Sequence, residues 1–353
     1  MEPFKVKDIK ELQSKAIALR AELDTVVSGY DEEKTMIIVC LLADGHVLLE
    51  AVPGTAKTTL VNTLRAGIDG SKSARIQMTP DLKPTDITGV EVFNQKLQDF
   101  VKKVGAIVGS NILLADEINR TTPKTLSALL EAMQERQVTI GDTTYNLQQL
   151  FIMLATQNPV ENEGVFPVPE ATLDRFLMKL NMKYVSRENE IAMLRNVAVH
   201  GRKAQSKVKK VVSVEELLEM QVKVLELCSQ ATLPLVEYIV DLTRGTRPGD
   251  PENDEEVRSF DAVHGKDAKA LREQIAFGAS PRCEIATLHA AAAYAFLNGD
   301  DHIEPSHVKR VFPHIARHRI ILTDAAIHDG VTTDKVVKKV LERVKVVDTS
   351  ASK

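Results

Sequence analysis

Apolar residues recur along the first part of the chain with the spacing of amphipathic helices. Between Asp8 and Val27 they lie three and four positions apart, and Gly29 interrupts that pattern. A second helix is predicted from Asp31 to about Ala43. Short apolar runs then alternate with further helical stretches, and such runs are typical of strands inside a parallel sheet. The pattern predicts strands at 47–49, 75–78, 111–117 and 151–155.

A fifth predicted strand has a different pattern. At 178–184 apolar residues alternate with polar ones, so one face of this strand is expected to contact solvent and the strand to lie near a sheet edge. Strands that alternate with helices favour a three-layer α/β domain built on a parallel sheet. Helical patterns dominate the rest of the chain. We therefore predict an α/β domain at 1–185 and an all-helical lid domain at 186–353.

Local signals add detail to this division. Ser213 and Glu216 have the spacing of a capping box, which predicts the start of a helix. A hairpin is predicted within 138–147, with its turn at a Gly-Asp pair. Two stretches are predicted to be less regular. Residues 79–109 contain an amphipathic piece, and residues 248–265 contain the acidic side chains of an exposed loop.

The stretch 46–60 carries the first candidate chemistry. A buried strand is followed by a Pro53-Gly54 turn and then by Lys57, which begins a helix. In this arrangement backbone N–H groups at the helix start face an anion, the lysine adds positive charge, and the hydroxyl of Thr58 can hold Mg²⁺. We assign nucleotide binding to the residues of this loop, which are Pro53, Gly54, Thr55, Ala56, Lys57, Thr58 and Thr59.

The loop departs from the phosphate-binding pattern G-x-x-x-x-G-K-[ST] at both of its glycines. Ala51 and Ala56 stand at these positions, and alanine restricts both a positive φ and the close approach of the backbone to phosphate. By itself the loop therefore leaves two interpretations open, a nucleotide site or a chance Lys-Thr pair at a strand–helix turn. The remaining motifs have to decide between them.

Two carboxylates follow the strand at 111–117. Open α/β sheets bind ligands at this end of their strands. Asp116 is predicted to hold Mg²⁺ through a water molecule, and Glu117 to orient and polarise the attacking water. The alternative is an acidic helix cap beside a solvated neighbour. Lys57 and Thr58 at the end of another strand favour the catalytic interpretation.

Three further polar residues are candidates for the same chemistry. Asn158 ends the strand at 151–155, where a neutral amide can position water or contact a γ-phosphate, and its alternative role is to form a turn before Pro159. Arg282 lies at the second position of a helix, where the dipole disfavours a cation, so a phosphate or a surface carboxylate has to compensate. Arg175 precedes the edge strand and can face a neighbouring subunit or solvent.

The composition narrows the class of protein. With 353 residues, 44 % of them hydrophobic and 27 % charged, the chain has the length and balance of two globular domains. A net charge of −4 gives no general attraction for nucleic acid or for anionic membranes. Three widely spaced cysteines fit a reducing compartment, and no apolar segment resembles a signal peptide or a membrane span. We expect a cytoplasmic protein without a structural metal site.

Together these motifs resemble the MoxR family of AAA+ ATPases. The resemblance rests on LLADEINRTTPKTLSALLEAMQERQVT at 113–139, ATQNPVENEGVFPVPEATLDRF at 155–176 and GASPR at 278–282. It implies an AAA+ P-loop NTPase domain that binds ATP and Mg²⁺ and is followed by a helical lid. Lys57 and Thr58 match Walker A, and Asp116 and Glu117 match Walker B.

The resemblance also implies roles for residues outside these two motifs. Asn158 matches sensor 1, Arg282 matches sensor 2, and Arg175 matches the arginine finger that acts on a neighbouring subunit. The segment that usually lies beside adenine corresponds to Val27, Gly29 and Tyr30. Residues 79–110 and 137–147 correspond to an insert and a hairpin that typically face the ring's pore or substrate.

The resemblance also implies a homo-hexameric ring with ATP bound between subunits. Such proteins remodel or activate protein clients in a chaperone-like way, often metalloenzymes, and commonly act with a partner that has a von Willebrand factor A domain. Two other classes remain possible. One is a nucleic-acid motor, against which the net charge weighs. The other is a non-catalytic scaffold gated by nucleotide, for which Ala51 is the supporting feature.

Overall fold

The computed structural model describes residues 8–52, 54–159, 164–200, 208–249 and 254–346. The chain divides into two compact units. The first comprises Met1–Phe176 and Leu180–Gln221, and the second comprises Leu177–Lys179 and Val222–Lys353. The first unit thus runs past residue 185, and the predicted domain boundary at that position stays a prediction.

Helices and strands alternate through the first unit, and helices dominate the second. The helices are α1 Ile9–Asp24, α2 Asp31–Leu42, α3 Lys57–Gly67, α4 Pro84–Thr88, α5 Pro123–Glu135, α6 Glu170–Leu173, α7 Arg187–His200, α8 Val214–Ser229, α9 Leu233–Arg244, α10 Asp254–His264, α11 Ala268–Gln274, α12 Pro281–Asn298, α13 Pro305–Ala316, α14 Asp324–His328 and α15 Thr333–Arg343. The strands are β1 Val47–Ala51, β2 Ile68–Asp69, β3 Ser73–Gln77, β4 Gly89–Asn94, β5 Asp99–Val104, β6 Ile112–Asp116, β7 Gln137–Ile140, β8 Thr143–Asn146, β9 Ile152–Gln157, β10 Met178–Met182, β11 Val212–Ser213, β12 Ile275–Phe277 and β13 Ile321–Leu322.

Five strands form the central sheet, in the order β10-β1-β9-β6-β3. Strand β9 pairs in parallel with β1 and β6, and β6 pairs in parallel with β3. The register sets Leu49 opposite Thr156 and Gln77 opposite Asp116. The carboxyl ends of these four strands therefore lie along one edge of the sheet. The predicted parallel α/β sheet is confirmed.

Helices cover both faces of this sheet. Leu113 and Met153 belong to one buried cluster that also contains Leu126 and its neighbours on α5. Leu114 and Leu154 alternate with those strand residues and so point to the opposite face, where α3 packs against β6. Both sets of side chains are buried, which explains the wholly apolar strands. The fold is the predicted three-layer arrangement.

The edge strand and the capping box also agree with their sequence patterns. In β10, Met178, Leu180 and Met182 are buried and the two residues between them are only half-buried, as expected for a strand at the end of the sheet. Ser213 N–H donates to Glu216 Oε2 at 3.0 Å, and Glu216 N–H donates to Ser213 Oγ at 3.3 Å. These reciprocal bonds stabilise the first turn of α8.

The stretch 79–109 is more regular than its pattern predicts. It contains α4 and an antiparallel hairpin of β4 and β5. Neither face of this hairpin is covered along its length, and Phe93 and Phe100 are exposed and pack edge to face at 5.4 Å between ring centres. Period-two patterns arise when one face of a strand is buried, so strands that are exposed on both faces do not produce that pattern. The hairpin predicted within 138–147 is confirmed, and it consists of β7 and β8.

From Val222 onward, the described residues of the second unit are helical apart from one antiparallel pair, β12 with β13. The exposed loop predicted at 248–265 is wrong for its second half, because α10 occupies 254–264. Phe260 and His264 lie one helical turn apart and are both buried, so one face of α10 packs into the second unit. Residues 250–253 lie outside the described residues. No described helix combines the length and apolar character needed to cross a membrane.

Candidate active site

The predicted phosphate loop joins the end of β1 to the start of α3. Pro53 lies outside the described residues. Gly54 has a φ of +84°, and Ala56 has a φ of +56° and caps α3. The hydroxyl of Thr55 is buried and donates to the carbonyl of Val52 at 2.9 Å, which tightens the turn. Beyond it, the first N–H groups of α3 have no partners within the helix and can bind an anion.

The two alanines that replace the pattern's glycines have different backbone conformations. Ala51 is the last residue of β1, has a buried side chain and lies outside the set of described residues with positive φ. Ala56 takes the left-handed conformation that glycine adopts most easily. Of the two positions without glycine, only Ala56 therefore has a strained backbone, whereas Ala51 has that of an ordinary strand residue.

Asp116 lies at the centre of a set of polar contacts at the end of β6. Its Oδ1 accepts a 2.6 Å hydrogen bond from the hydroxyl of Thr156 and lies 4.0 Å from Lys57 Nζ. Its Oδ2 accepts a 2.7 Å bond from Arg75 Nη2. Burial alone raises the pKa of Asp116, but the bonds from Thr156 and Arg75 and the charge of Lys57 outweigh burial and lower the pKa. The carboxylate is therefore ionised at neutral pH.

Glu117 follows Asp116 with a strained backbone. Its φ of +61° is uncommon for a residue with a side chain, and its N–H donates to Thr156 Oγ1 at 2.9 Å. Gln77 Nε2 donates to Glu117 Oε2 at 3.0 Å, and Arg120 Nε lies 3.0 Å from the same oxygen. These contacts turn the carboxylate away from the path of the strand and hold it in one orientation.

Asn158 comes directly after β9, between the ends of β1 and β6. Its side chain is buried. Because β9 pairs in parallel with both neighbours, Asn158 lies at the same edge of the sheet as Lys57 and Asp116. The arrangement combines a cation, two carboxylates and an amide at the edge where open α/β sheets bind ligands.

A cavity of about 550 Å³ adjoins the phosphate loop. One wall consists of Gly54, Thr55, Ala56 and Thr59, and another consists of Val26, Val27, Ser28 and Tyr30. Gly29 has a φ of +75°, and a Cβ there would lie 2.9 Å from Val185 Cγ1. The segment predicted to lie beside adenine and the predicted phosphate loop thus face one cavity of the size that holds small-molecule ligands.

Helix α7 supplies a third wall that sequence reasoning missed. Met193, Asn196 and Val197 line the cavity together with Tyr184. The sequence pattern placed α7 in the lid and gave it no site role. Met193 and Val197 are four residues apart and partly exposed, so a short apolar stripe on this helix was the available signal. Thr156, Arg75 and Gln77 were also missed, although each lies at or near a strand end.

The two candidate arginines lie in different units. Arg175 is half-buried after α6, and its Nε is buried without a hydrogen-bond partner among the described residues. Arg282 is exposed and lies in the first turn of α12, in the second unit. The roles of both arginines toward nucleotide stay predictions.

Comparison with known families agrees with this geometry. Residues 46–178 match the family described as "ATPase family associated with various cellular activities (AAA)", and residues 267–340 match the AAA lid domain. The first match covers the phosphate loop, the acid pair and Asn158. The second covers most of the described helices of the second unit. The fold and the site therefore define an AAA-type ATPase with its lid.

Individual relatives narrow the class further. The chain is 39 % identical to Chaperone MoxR1 of Mycobacterium tuberculosis over 92 % of this chain and 80 % of that protein. It is 38 % identical to the uncharacterised protein YeaC of Bacillus subtilis over 96 % of each chain. The crystal structure of a Cytophaga hutchinsonii protein matches with a TM-score of 0.85 at 39 % identity, over 96 % of this chain and 97 % of that chain. The chain belongs to the MoxR family of AAA+ ATPases.

Proposed function

We propose that this chain hydrolyses ATP in the cavity beside the phosphate loop and uses the energy to remodel or activate a protein client. The observation that carries the proposal is the shared cavity. It joins the phosphate loop at Gly54–Thr59 to the base segment at Val26–Tyr30, while Lys57 lies 4.0 Å from the ionised Asp116. A triphosphate and an aromatic base need these two environments side by side.

The loop residues bind the phosphates in this proposal. Lys57 and the free N–H groups of α3 neutralise the phosphate oxygens, and Thr55, Thr58 and Thr59 border the same loop. Asp116 and Thr58 have the oxygen ligands that Mg²⁺ prefers, and the lowered pKa keeps Asp116 in the charged form that the ion requires. When bound, Mg²⁺ neutralises the charge that develops on the β- and γ-phosphate oxygens.

Glu117 acts as the base that polarises the attacking water, and Asn158 orients that water or the γ-phosphate. The left-handed backbone at Glu117 and its bonds from Gln77 and Arg120 hold the carboxylate at the sheet edge. A positioned base needs this restraint because hydrolysis depends on alignment with the phosphorus atom. As the water oxygen attacks the γ-phosphorus, its proton passes to the Glu117 carboxylate. The bond from the γ-phosphorus to the bridging oxygen of the β-phosphate breaks, and ADP leaves.

We infer further that the protein acts in the cytoplasm as a homo-hexameric ring. In the ring Arg175 of one subunit reaches the nucleotide of its neighbour, and Arg282 senses the phosphates from the lid. The Nε of the half-buried Arg175 has no hydrogen-bond partner among the described residues, which is consistent with a side chain that another subunit completes. The name of the relative Chaperone MoxR1 supports a protein client. We propose a metalloenzyme as this client and a protein with a von Willebrand factor A domain as the partner.

One variant tests both catalysis and client binding. Glu117→Gln keeps the size and polarity of the side chain but removes the base, so we expect turnover to vanish while ATP remains bound. Lys57→Ala is the matched control and is expected to lose ATP binding. Equal loss of binding and turnover in Glu117→Gln would contradict the assigned role.

The trapped Glu117→Gln protein also discriminates between the three classes of function. With ATP present, its affinity capture is expected to recover the client together with the von Willebrand factor A partner. Steady ATP turnover by the purified wild-type protein would dismiss a non-catalytic scaffold. Stimulation of that turnover by DNA would instead favour the nucleic-acid motor.

A further inference from the structure

A fully buried cation lies behind the base segment of the cavity. Lys34 on α2 is 1 % exposed, and lysine is rarely so buried unless it is paired. Its Nζ donates to the carbonyl of Val27 at 3.0 Å, lies 3.1 Å from Asp31 Oδ1 and forms an ion pair with Asp24. The phosphate loop is not involved in any of these contacts. Lys34 therefore joins the end of α1, the start of α2 and the loop between them.

The loop that Lys34 holds has an unusual backbone. Gly29 and Tyr30 are consecutive residues with positive φ, at +75° and +59°. A side-chain-bearing residue such as Tyr30 stays in this region only when its surroundings over-determine it. The N–H of Val27 donates to Leu23 at 3.0 Å, and the N–H of Lys34 donates to Tyr30 at 2.8 Å. The helices thus fix both ends of the loop, and the Lys34 ammonium also holds the carbonyl of Val27 near the start of the loop.

A second cation completes the contacts between α1 and α2. Arg20 Nη1 donates to Asp24 at 2.7 Å, and Arg20 Nη2 donates to the carbonyl of Asp31 at 3.0 Å. Burial alone raises the pKa of Asp24, but Lys34 and Arg20 outweigh burial and lower the pKa, so the carboxylate stays charged. Because Arg20 also bridges the two helices, the removal of Lys34 frees the loop without separating α1 from α2.

We propose that Lys34 is a positioning residue that pre-organises the loop Val26–Tyr30 for the base of the bound nucleotide. Val26, Val27, Ser28 and Tyr30 line the cavity, and Lys34 lies behind them without lining it. Lys34 therefore contributes to the affinity for the base and not to the affinity for the triphosphate. This inference rests on the proposed function, because it takes the cavity to be the nucleotide site.

Two ligands that differ only in the nucleoside test this division. The full-length Lys34→Met variant is titrated with ATP and, separately, with inorganic tripolyphosphate. A loop that is correctly folded only part of the time weakens binding by that fraction, so we expect about a tenfold rise in the ATP dissociation constant. The tripolyphosphate constant is expected not to change. In turnover, KM for ATP rises and kcat stays at the wild-type value.

Controls separate this role from a general structural one. Lys15→Met removes a cation on α1 that pairs with Glu216 at 2.5 Å and does not line the cavity, and it is expected to leave both constants unchanged. If Lys34→Met binds ATP as the wild type does, or if both ligands weaken equally, the inference is overturned.

A second variant decides the matter if Lys34→Met does not fold. Asp24→Asn leaves Lys34 in place but removes one of its two carboxylate partners, and a selective loss of ATP affinity supports the inference. Equal behaviour toward the two ligands overturns it. A wild-type protein that binds neither ligand would refute the proposed function itself, which is a different result from an unaffected variant.

Discussion

The hydroxyl of Thr156 donates a 2.6 Å hydrogen bond to the carboxylate of Asp116 across two neighbouring strands. The same hydroxyl oxygen accepts the N–H of Glu117 at 2.9 Å, and Thr156 is fully buried. One side chain of the central strand therefore orients both members of the acid pair. The pair depends on the register between β6 and β9 as much as on its own sequence.

Replacement of Thr156 by valine tests this link, because valine has nearly the same shape but no hydroxyl. Asp116 and the Glu117 N–H lose a buried partner, so the free energy of unfolding is expected to fall by about 1–3 kcal/mol. We expect ATP turnover to fall at least about tenfold, since a displaced base or metal ligand is costly to catalysis. Urea unfolding and steady-state ATPase assays measure the two effects. Thr156→Ser keeps the hydroxyl and should retain most of both.

Arg175 is expected to act on the nucleotide of a neighbouring subunit. An arginine that stabilises transition-state charge is worth about a thousandfold or more in rate, so Arg175→Ala alone should be nearly inactive. Lys57→Ala alone should be inactive as well. In mixed rings, some interfaces combine an intact Lys57 with an intact Arg175, and activity should partly return. Light scattering confirms that rings have formed, and rings of mixed subunits without any recovery would argue against action in trans.

Glycine substitutions at the two loop alanines should have opposite effects on stability. Ala56 has a φ of +56°, which costs an L-residue about 1–2 kcal/mol, so Ala56→Gly should stabilise the protein by about 1 kcal/mol. Ala51 is a buried strand residue, and Ala51→Gly should destabilise by about 0.5–1 kcal/mol. Thermal unfolding of the two variants beside the wild type gives the comparison. Changes of the same sign in both would show that the two backbones do not differ as described.

His46 should make the protein acid-sensitive. Burial lowers its pKa to about 3, the charge of Arg136 adds to that effect, and its Nδ1 accepts the Met153 N–H at 3.1 Å. His46 is therefore protonated below about pH 6.5 in the unfolded state but only below about pH 3 in the native state. The contribution of His46 to stability is complete above pH 6.5 and is lost on acidification at about 1.4 kcal/mol per pH unit.

The variant His46→Asn isolates this contribution. Its amide oxygen can accept the Met153 N–H, and it does not titrate. Between pH 6.5 and pH 4.5 the free energy of unfolding should fall less steeply for the variant than for the wild type, by about 1.4 kcal/mol per pH unit. Urea unfolding at several pH values measures both slopes. Parallel slopes would mean that His46 is protonated in the native state over this range.

The order of apolar and polar residues along the chain was enough to predict the sheet and its main polar groups. Apolar runs in β1, β6 and β9 showed that these strands are buried, because every side chain on them has to leave water. Each run ends at a polar group, and a parallel sheet brings such ends to one edge. The positions of Lys57, Asp116 and Asn158 at that edge therefore followed from local pattern alone.

The contacts that hold those groups in place became visible only in the folded chain. Thr156 bonds Asp116, and Gln77 bonds Glu117, each across 40 positions of the chain, so their pairing depends on strand register. Lys34 reads in sequence as an ordinary polar residue of a helix, and its burial arises because α1, α2 and their loop converge on it. The spacing of apolar residues reports which face of an element is buried, and it carries no information about which distant polar group meets it there.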